Sequence, residues 1–120
     1  MEVIHPRAGG IDVGSERLYV AVCAGPVKVF DTFTASLHAL RDYLVDQGVR
    51  TVAMEATGVY WKPVWAILGD EFDCLLVNAR HVKQVPGRKT DVSDAAWLCQ
   101  LLEAGLLRAS FVPPKPIRAR

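Results

Sequence analysis

Four acidic residues stand where a carboxylate needs a reason. Asp12 lies inside the short apolar segment Ile11-Asp12-Val13-Gly14, and Glu55 closes the apolar run Val52-Ala53-Met54. Asp91 and Asp94 are three residues apart at the start of the last expected helix, a spacing that sets two side chains on one helical face. Taken alone, that spacing favours an N-terminal cap, with Thr90 or Asp91 capping and acids complementing the helix dipole. The two strand acids shift the balance. If the first strand is central and the fourth runs parallel beside it, Asp12 and Glu55 meet at the carboxyl ends of their strands, where open α/β sheets bind ligands. Carboxylates sharing one site repel each other, and a hard divalent cation with oxygen ligands removes that penalty. Two magnesium ions about 3.5–4 Å apart suit in-line cleavage of a phosphodiester. Asp12, Glu55, Asp91 and Asp94 are therefore the candidate metal ligands and catalytic residues, with Mg2+ or Mn2+ as the expected cofactor.

The bases are distributed unevenly. Net charge is only +1, yet the stretch from Cys74 to Thr90 holds no acid while containing Arg80, Lys83, Arg88 and Lys89. Each of these alone is more often a solvated side chain. Four of them directly ahead of two acids favour phosphate contact and make them candidate nucleic-acid-binding residues. Only Lys89 adjoins the acids in sequence, so an account in which bases simply neutralise the carboxylates is the weaker one. Lys115, Arg118 and Arg120 form a second basic cluster in the tail.

Other chemistries find less support. Cys23, Cys74 and Cys99 sit singly in apolar runs and read as buried thiols, while His5, His38 and His81 lack the companions a zinc site needs. No histidine accompanies Ser15, Ser36, Ser93 or Ser110 in a way that suggests a hydrolase triad. Tyr60, Trp61 and Trp65 could stack on bases, but the four-residue spacing of the two tryptophans favours packing on the sheet.

The elements that must position these side chains follow from local pattern. Gly9-Gly10 reads as a flexible lead-in to a strand through Ile11–Gly14. Leu18–Ala24, the Gly25-Pro26 turn and Val27 to Phe33 continue it as an antiparallel meander. Ser36 is the expected N-cap of a helix carrying Leu37, Leu40 and Leu44, ended by Gly48. Arg50–Glu55 is a fourth strand, Tyr60–Leu68 a helix with Pro63 in its first turn, and Phe72–Val77 a fifth strand. Asn78–Lys89 reads as a basic loop. A last helix begins near Asp91, with Ala95, Leu98, Leu101 and Leu102 on its apolar face. The fold class is α/β: a mixed five-stranded sheet, antiparallel meander then β-α-β units, with flanking helices.

A length of 120 residues, 51% of them apolar, suits one domain with a real core. Residues 9–112 form that domain, and 113–120 a proline-rich basic tail or linker. No apolar run approaches the roughly 20 residues needed to cross a bilayer. The N-terminus lacks the features of a secretory signal, which points to the cytoplasm.

Gly10-Ile11-Asp12-Val13-Gly14, Met54-Glu55-Ala56-Thr57-Gly58 and Lys89-Thr90-Asp91-Val92-Ser93-Asp94-Ala95 together resemble the N-terminal domain of the DEDD transposases of bacterial insertion sequences. These are recombinases with a Holliday-junction-resolvase-like catalytic domain, and some are guided by a bridge RNA. The resemblance runs from about Gly9 to Val112. It implies a ribonuclease H-like fold in which Asp12, Glu55, Asp91 and Asp94 form the metal-binding tetrad. It also implies DNA as partner, a guide RNA in some members, and a dimer in the full-length protein. The family enzyme further has a C-terminal domain supplying a serine nucleophile; the chain ends where that domain is expected to follow, so complete strand exchange is not expected of it alone. Gly10–Ser15 followed by Leu18–Val22 also resembles the first phosphate loop of actin-like sugar kinases, and a non-catalytic nucleic-acid-binding or dimerisation module is the third class. The length and the absence of further glycine-rich motifs argue against a kinase.

Overall fold

The computed structural model of the chain describes residues 7–22, 25–56, 58–89, 92–107 and 109–111. The meander comprises β1 (Ala8–Val13), β2 (Arg17–Val22) and β3 (Lys28–Asp31) and leads into α1 (Thr34–Asp46). Then come β4 (Thr51–Ala56), α2 (Trp61–Leu68), β5 (Asp73–Val77), α3 (Ala79–Gln84), α4 (Asp94–Glu103) and β6 (Ala109–Phe111). The strands form one sheet in the order β3-β2-β1-β4-β5-β6, with β1, β4 and β5 mutually parallel and the other pairings antiparallel. This is the expected mixed α/β sheet, a meander followed by β-α-β units. The five expected strands are joined at the edge by β6, a short strand on β5 that the residues before the proline cluster supply.

Period-two alternation divides the sheet into two unlike faces. On one, Ile11, Val13, Leu18, Val20, Val52, Met54 and Leu76 meet Leu37, Leu40 and Leu44 of α1 and Val64 and Leu68 of α2 in the larger core cluster. The tryptophans belong here: Trp61 and Trp65 pack edge to face, centroids 5.9 Å apart, against that cluster. The other face is floored by Ala8, Ala21 and Ala53, against which α4 sets Ala95, Cys99 and Leu102. Trp97, Leu98 and Leu101 of the same helix pack with Val77 and Val82, and the Trp97 indole donates to the Val82 carbonyl at 3.4 Å, tying α3 to α4. Small residues on this floor bring the helix close to the strands.

Gly10 is the closest point of that approach. A Cβ there would collide with the Ala95 carbonyl oxygen and would lie 2.8 Å from the Cys99 nitrogen and 2.9 Å from the Leu98 Cβ. Gly9 and Gly10 are thus buried members of β1, not a flexible lead-in.

The helix ends differ from the sequence pattern in instructive ways. Ser36 does not cap α1; the helix starts at Thr34, where Asp31 Oδ1 accepts from the Phe33 N–H at 3.1 Å in an Asx turn. Its other end is as expected, with Gly48 at φ +74° and the Val49 N–H donating to the Leu44 carbonyl. Half of the expected 78–89 loop is helical, because Asn78 Oδ1 accepts from the Arg80 N–H at 2.8 Å and caps α3. Ser93, not Thr90 or Asp91, caps α4, accepting from the Ala96 N–H at 3.2 Å. Among the described residues no helix is long and apolar enough to cross a membrane.

Replacing Gly10 with alanine should lower unfolding free energy by about 1–3 kcal/mol, since backbone atoms of α4 must move. Gly9→Ala, whose Cβ would meet side chains no nearer than 3.4 Å, should be neutral to slightly stabilising. Urea denaturation of both variants checks this; equal effects would mean that α4 does not seat on Gly10.

Candidate metal and nucleic-acid site

Asp12 is the fifth residue of β1 and Glu55 the fifth of β4, and the parallel register pairs them directly. In-register neighbours share a face, and the alternation puts both acids on the α4 side, in line with Gly10 and Ala53. They sit near the carboxyl ends of their strands, half-buried. Asp94 reaches the same place by another route. Ala95 rests on Gly10, two residues from Asp12 on the same face, so Asp94, the first residue of α4, comes down beside the strand acids.

Asp94 is near enough to act on both strand acids through its charge. Burial and then the charge of Asp94 raise the Asp12 carboxyl above the ordinary carboxylate range. Glu55 is raised by burial, then by Asp12 and Asp94, and Lys83 and Arg88 partly offset the rise. Three acids from three elements thus share one field. Asp12 and Glu55 have neither a hydrogen-bond nor an ion-pair partner among the described residues, whereas Asp94 has one: Arg88 Nη1 lies 2.8 Å from Asp94 Oδ1.

That ion pair shows that Arg88, although not adjacent in sequence, neutralises Asp94, the account that sequence adjacency alone makes the weaker one. Arg88 also donates to the Val92 carbonyl through Nη2 at 2.6 Å and Nε at 3.1 Å, so one guanidinium braces the approach to α4. Of the other expected phosphate-binding residues, Lys83 on α3 is near enough to act on Glu55, while Arg80 and Lys89 are exposed and no described contact links them to the acids. Asp91 lies outside the described residues. The helix begins at Asp94, after its Ser93 cap.

Among the described residues no three His, Cys, Asp or Glu side chains already converge into a formed metal site. The donor set nonetheless suits a hard cation: the acids are oxygen donors, mutually repelling and mostly without partner bases. A cavity lined by Arg7, Val49, Arg50, Asp70, Glu71 and Phe72 opens at the opposite end of the sheet, beside the start of β4 and β5, away from these acids.

Tyr19 carries no motif signal, and the motif that begins at Gly10 carries no sign that a helix must pack on it. Strand alternation in β2, with Leu18 and Val20 inside, is the one feature that turns Tyr19 to the face of Asp12, its register partner.

A meandering sheet continued by β-α-β units, with acids at the carboxyl ends of adjacent central strands, defines a ribonuclease H-like α/β domain. A family model for transposases, DEDD_Tnp_IS110, matches residues 9–119, and the chain belongs to that family of insertion-sequence transposases. No curated protein matches the sequence. Membership sets aside the sugar-kinase resemblance, and divalent-metal chemistry on DNA is the general expectation for the family.

Raised carboxyl groups make a prediction of definite sign. A group whose folded pKa exceeds its unfolded value adds stability below the unfolded pKa and loses it as pH rises through the folded one. With chelator present, the chain should therefore lose stability as pH rises from about 4 upward, the ordinary carboxylate range. Asp12→Asn and Glu55→Gln should each flatten that fall and be more stable than the parent at neutral pH. Thermal melts across pH check this; variants less stable than the parent at pH 7 would mean that the acids serve as structural hydrogen-bonding groups.

Proposed function

We propose that Asp12, Glu55 and Asp94, with Asp91 as the fourth member, bind Mg2+ or Mn2+ and form the phosphodiester-processing site of DNA transposition. The observation that carries this reading is the approach of carboxylates from β1, β4 and α4 at one end of the sheet, where burial and then neighbouring acids raise Asp12 and Glu55, with basic side chains on one flank. A pair of divalent cations would supply activation of the attacking oxygen and stabilisation of the leaving one. Asp12 and Glu55 contribute oxygen donors from a rigid sheet, and Asp94 closes over them from the helix start. Lys83 and Arg88 attract the phosphate backbone to the β5 side, with Arg80 and Lys89 extending the basic track outward. Arg88 balances the charge of Asp94 while no cation does so, and can exchange that partner for a phosphate when one arrives. Residues 9–112 constitute this catalytic unit, with 113–120 a proline-rich basic tail or linker. Cytoplasmic DNA is the partner in this reading; a guide RNA and a dimer fit the family's mode of action.

Millimolar Mg2+ or Mn2+ should raise the melting temperature of the parent chain, because a ligand of the folded state stabilises by mass action, by about 2.7 kcal/mol at a hundred times its Kd. Asp12→Asn, Glu55→Gln, Asp91→Asn and Asp94→Asn should each lose most of that rise. A metal response that survives all four substitutions, or none in the parent at any concentration up to tens of millimolar, would overturn the proposal.

A further inference from the structure

One row of the sheet runs through the acids and beyond them. Successive register partners place Val29 of β3, Tyr19 of β2, Asp12 of β1, Glu55 of β4 and Val77 of β5 in a line on the α4 face. The two ends of the row differ. On the β5 side Val77 is buried beneath Trp97 and Leu98 and the basic α3 segment follows. On the β2 side the helix stops short: Tyr19 remains 39% exposed and Val29 52% exposed.

Tyr19 and Val29 thus form a small exposed aromatic and apolar shelf one strand from the acids. The Tyr19 side chain has no ring contact or hydrogen bond among the described residues, in contrast to Tyr43, which packs on Phe30 with centroids 5.9 Å apart and receives Lys28 over its ring. The neighbouring residue on the same strand face is Arg17, also exposed. An aromatic next to a base, one strand from the acids, matches the chemistry of a nucleic-acid strand: a π-face for a base and a cation for the following phosphate.

We infer that Tyr19, with Val29 beside it, is the platform on which the nucleobase flanking the reacting phosphate stacks, and that Arg17 receives the next phosphate along. The inference rests on the proposed phosphodiester site and assigns the opposite flank from Lys83 and Arg88. A DNA strand then crosses the sheet along the row, its backbone drawn in on the α3 side and its base laid on Tyr19 on the other. Adjacent strands are about 4.8 Å apart, so the ring lies within reach of the nucleoside attached to a phosphate at Asp12. Tyr19 is a positioning residue in this arrangement and touches no metal.

The test compares fluorescein-labelled oligothymidylate with a strand of the same length and charge in which abasic sites replace the bases, both followed by anisotropy on the purified chain. The parent should prefer the thymidine strand. Tyr19→Leu, which keeps an apolar strand residue and removes the aromatic face, should lose about tenfold in affinity for it, as expected for removing about 1.4 kcal/mol from a stack worth about 1–3 kcal/mol. Affinity for the abasic strand should be unchanged, Tyr19→Trp should bind as the parent does, and the rise in melting temperature with Mg2+ should persist in both variants. Equal loss on the two strands, undiminished affinity in Tyr19→Leu, or no preference in the parent would overturn the inference. A change in sedimentation of Tyr19→Leu without a change in DNA affinity would likewise overturn it and make the shelf a contact between copies of this chain. The metal response separates this failure from that of the site itself: Asp12→Asn abolishes it if the carboxylates bind the cation, whatever Tyr19 does.

Discussion

The seating of α4 on Gly10 is the constraint on which the rest of the molecule depends. A helix can lie this close to a strand only where the strand presents no side chain, and the neighbouring floor of Ala8, Ala21 and Ala53 extends the same permission sideways. Close packing of this kind is stiff, because interiors at crystal-like density resist small displacements. The consequence is positional. With Ala95 locked against Gly10, the first residue of α4 is held beside Asp12 without any direct bond between the two acids, and Trp97 carries α3 and its lysine along with the helix.

Packing on both faces opposes what electrostatics at the site would prefer. Burial and the charge of Asp94 raise the proton affinity of Asp12, burial and the charges of Asp12 and Asp94 raise that of Glu55, and nothing in the sheet relaxes the two strand acids apart, since both are fixed by the same ladder that builds the core. Arg88 compensates at one of the three, with two further donations to the Val92 carbonyl two residues before the helix. Exposed on its outer side, that pair is screened by solvent and stabilises the fold only modestly. The strain therefore stays with the strand acids, which is the condition under which a cation gains most from binding.

Much of this was legible along the chain. Alternation and turn residues gave the meander, helical spacing of Leu37, Leu40 and Leu44 gave α1, and the apolar face of the last helix gave α4. What misled was local competition. Ser36 looked like a cap, but Asp31 engages the backbone of Phe33 earlier and starts the helix first. The basic stretch after β5 looked irregular, although Asn78 nucleates a short helix whose buried Val82 packs on Trp97. Gly9 and Gly10 read as a flexible lead-in, because glycine in a sequence signals freedom and only a neighbouring helix can turn it into a requirement.

By itself, the sequence determined which residues could do chemistry and the local elements that carry them: an acid in one strand, an acid closing another, an acid near a helix start, and bases ahead of it. Those depend on side-chain type and on period-two or helical spacing, both of which are properties of neighbouring residues. Tertiary structure alone decided that Asp12 pairs with Glu55 in register, that Arg88 reaches Asp94, and that Tyr19 stands exposed in the same row. Each of these is set by which strands lie side by side and by how closely a helix can approach them, and no local pattern encodes a distance between segments that the chain brings together only on folding.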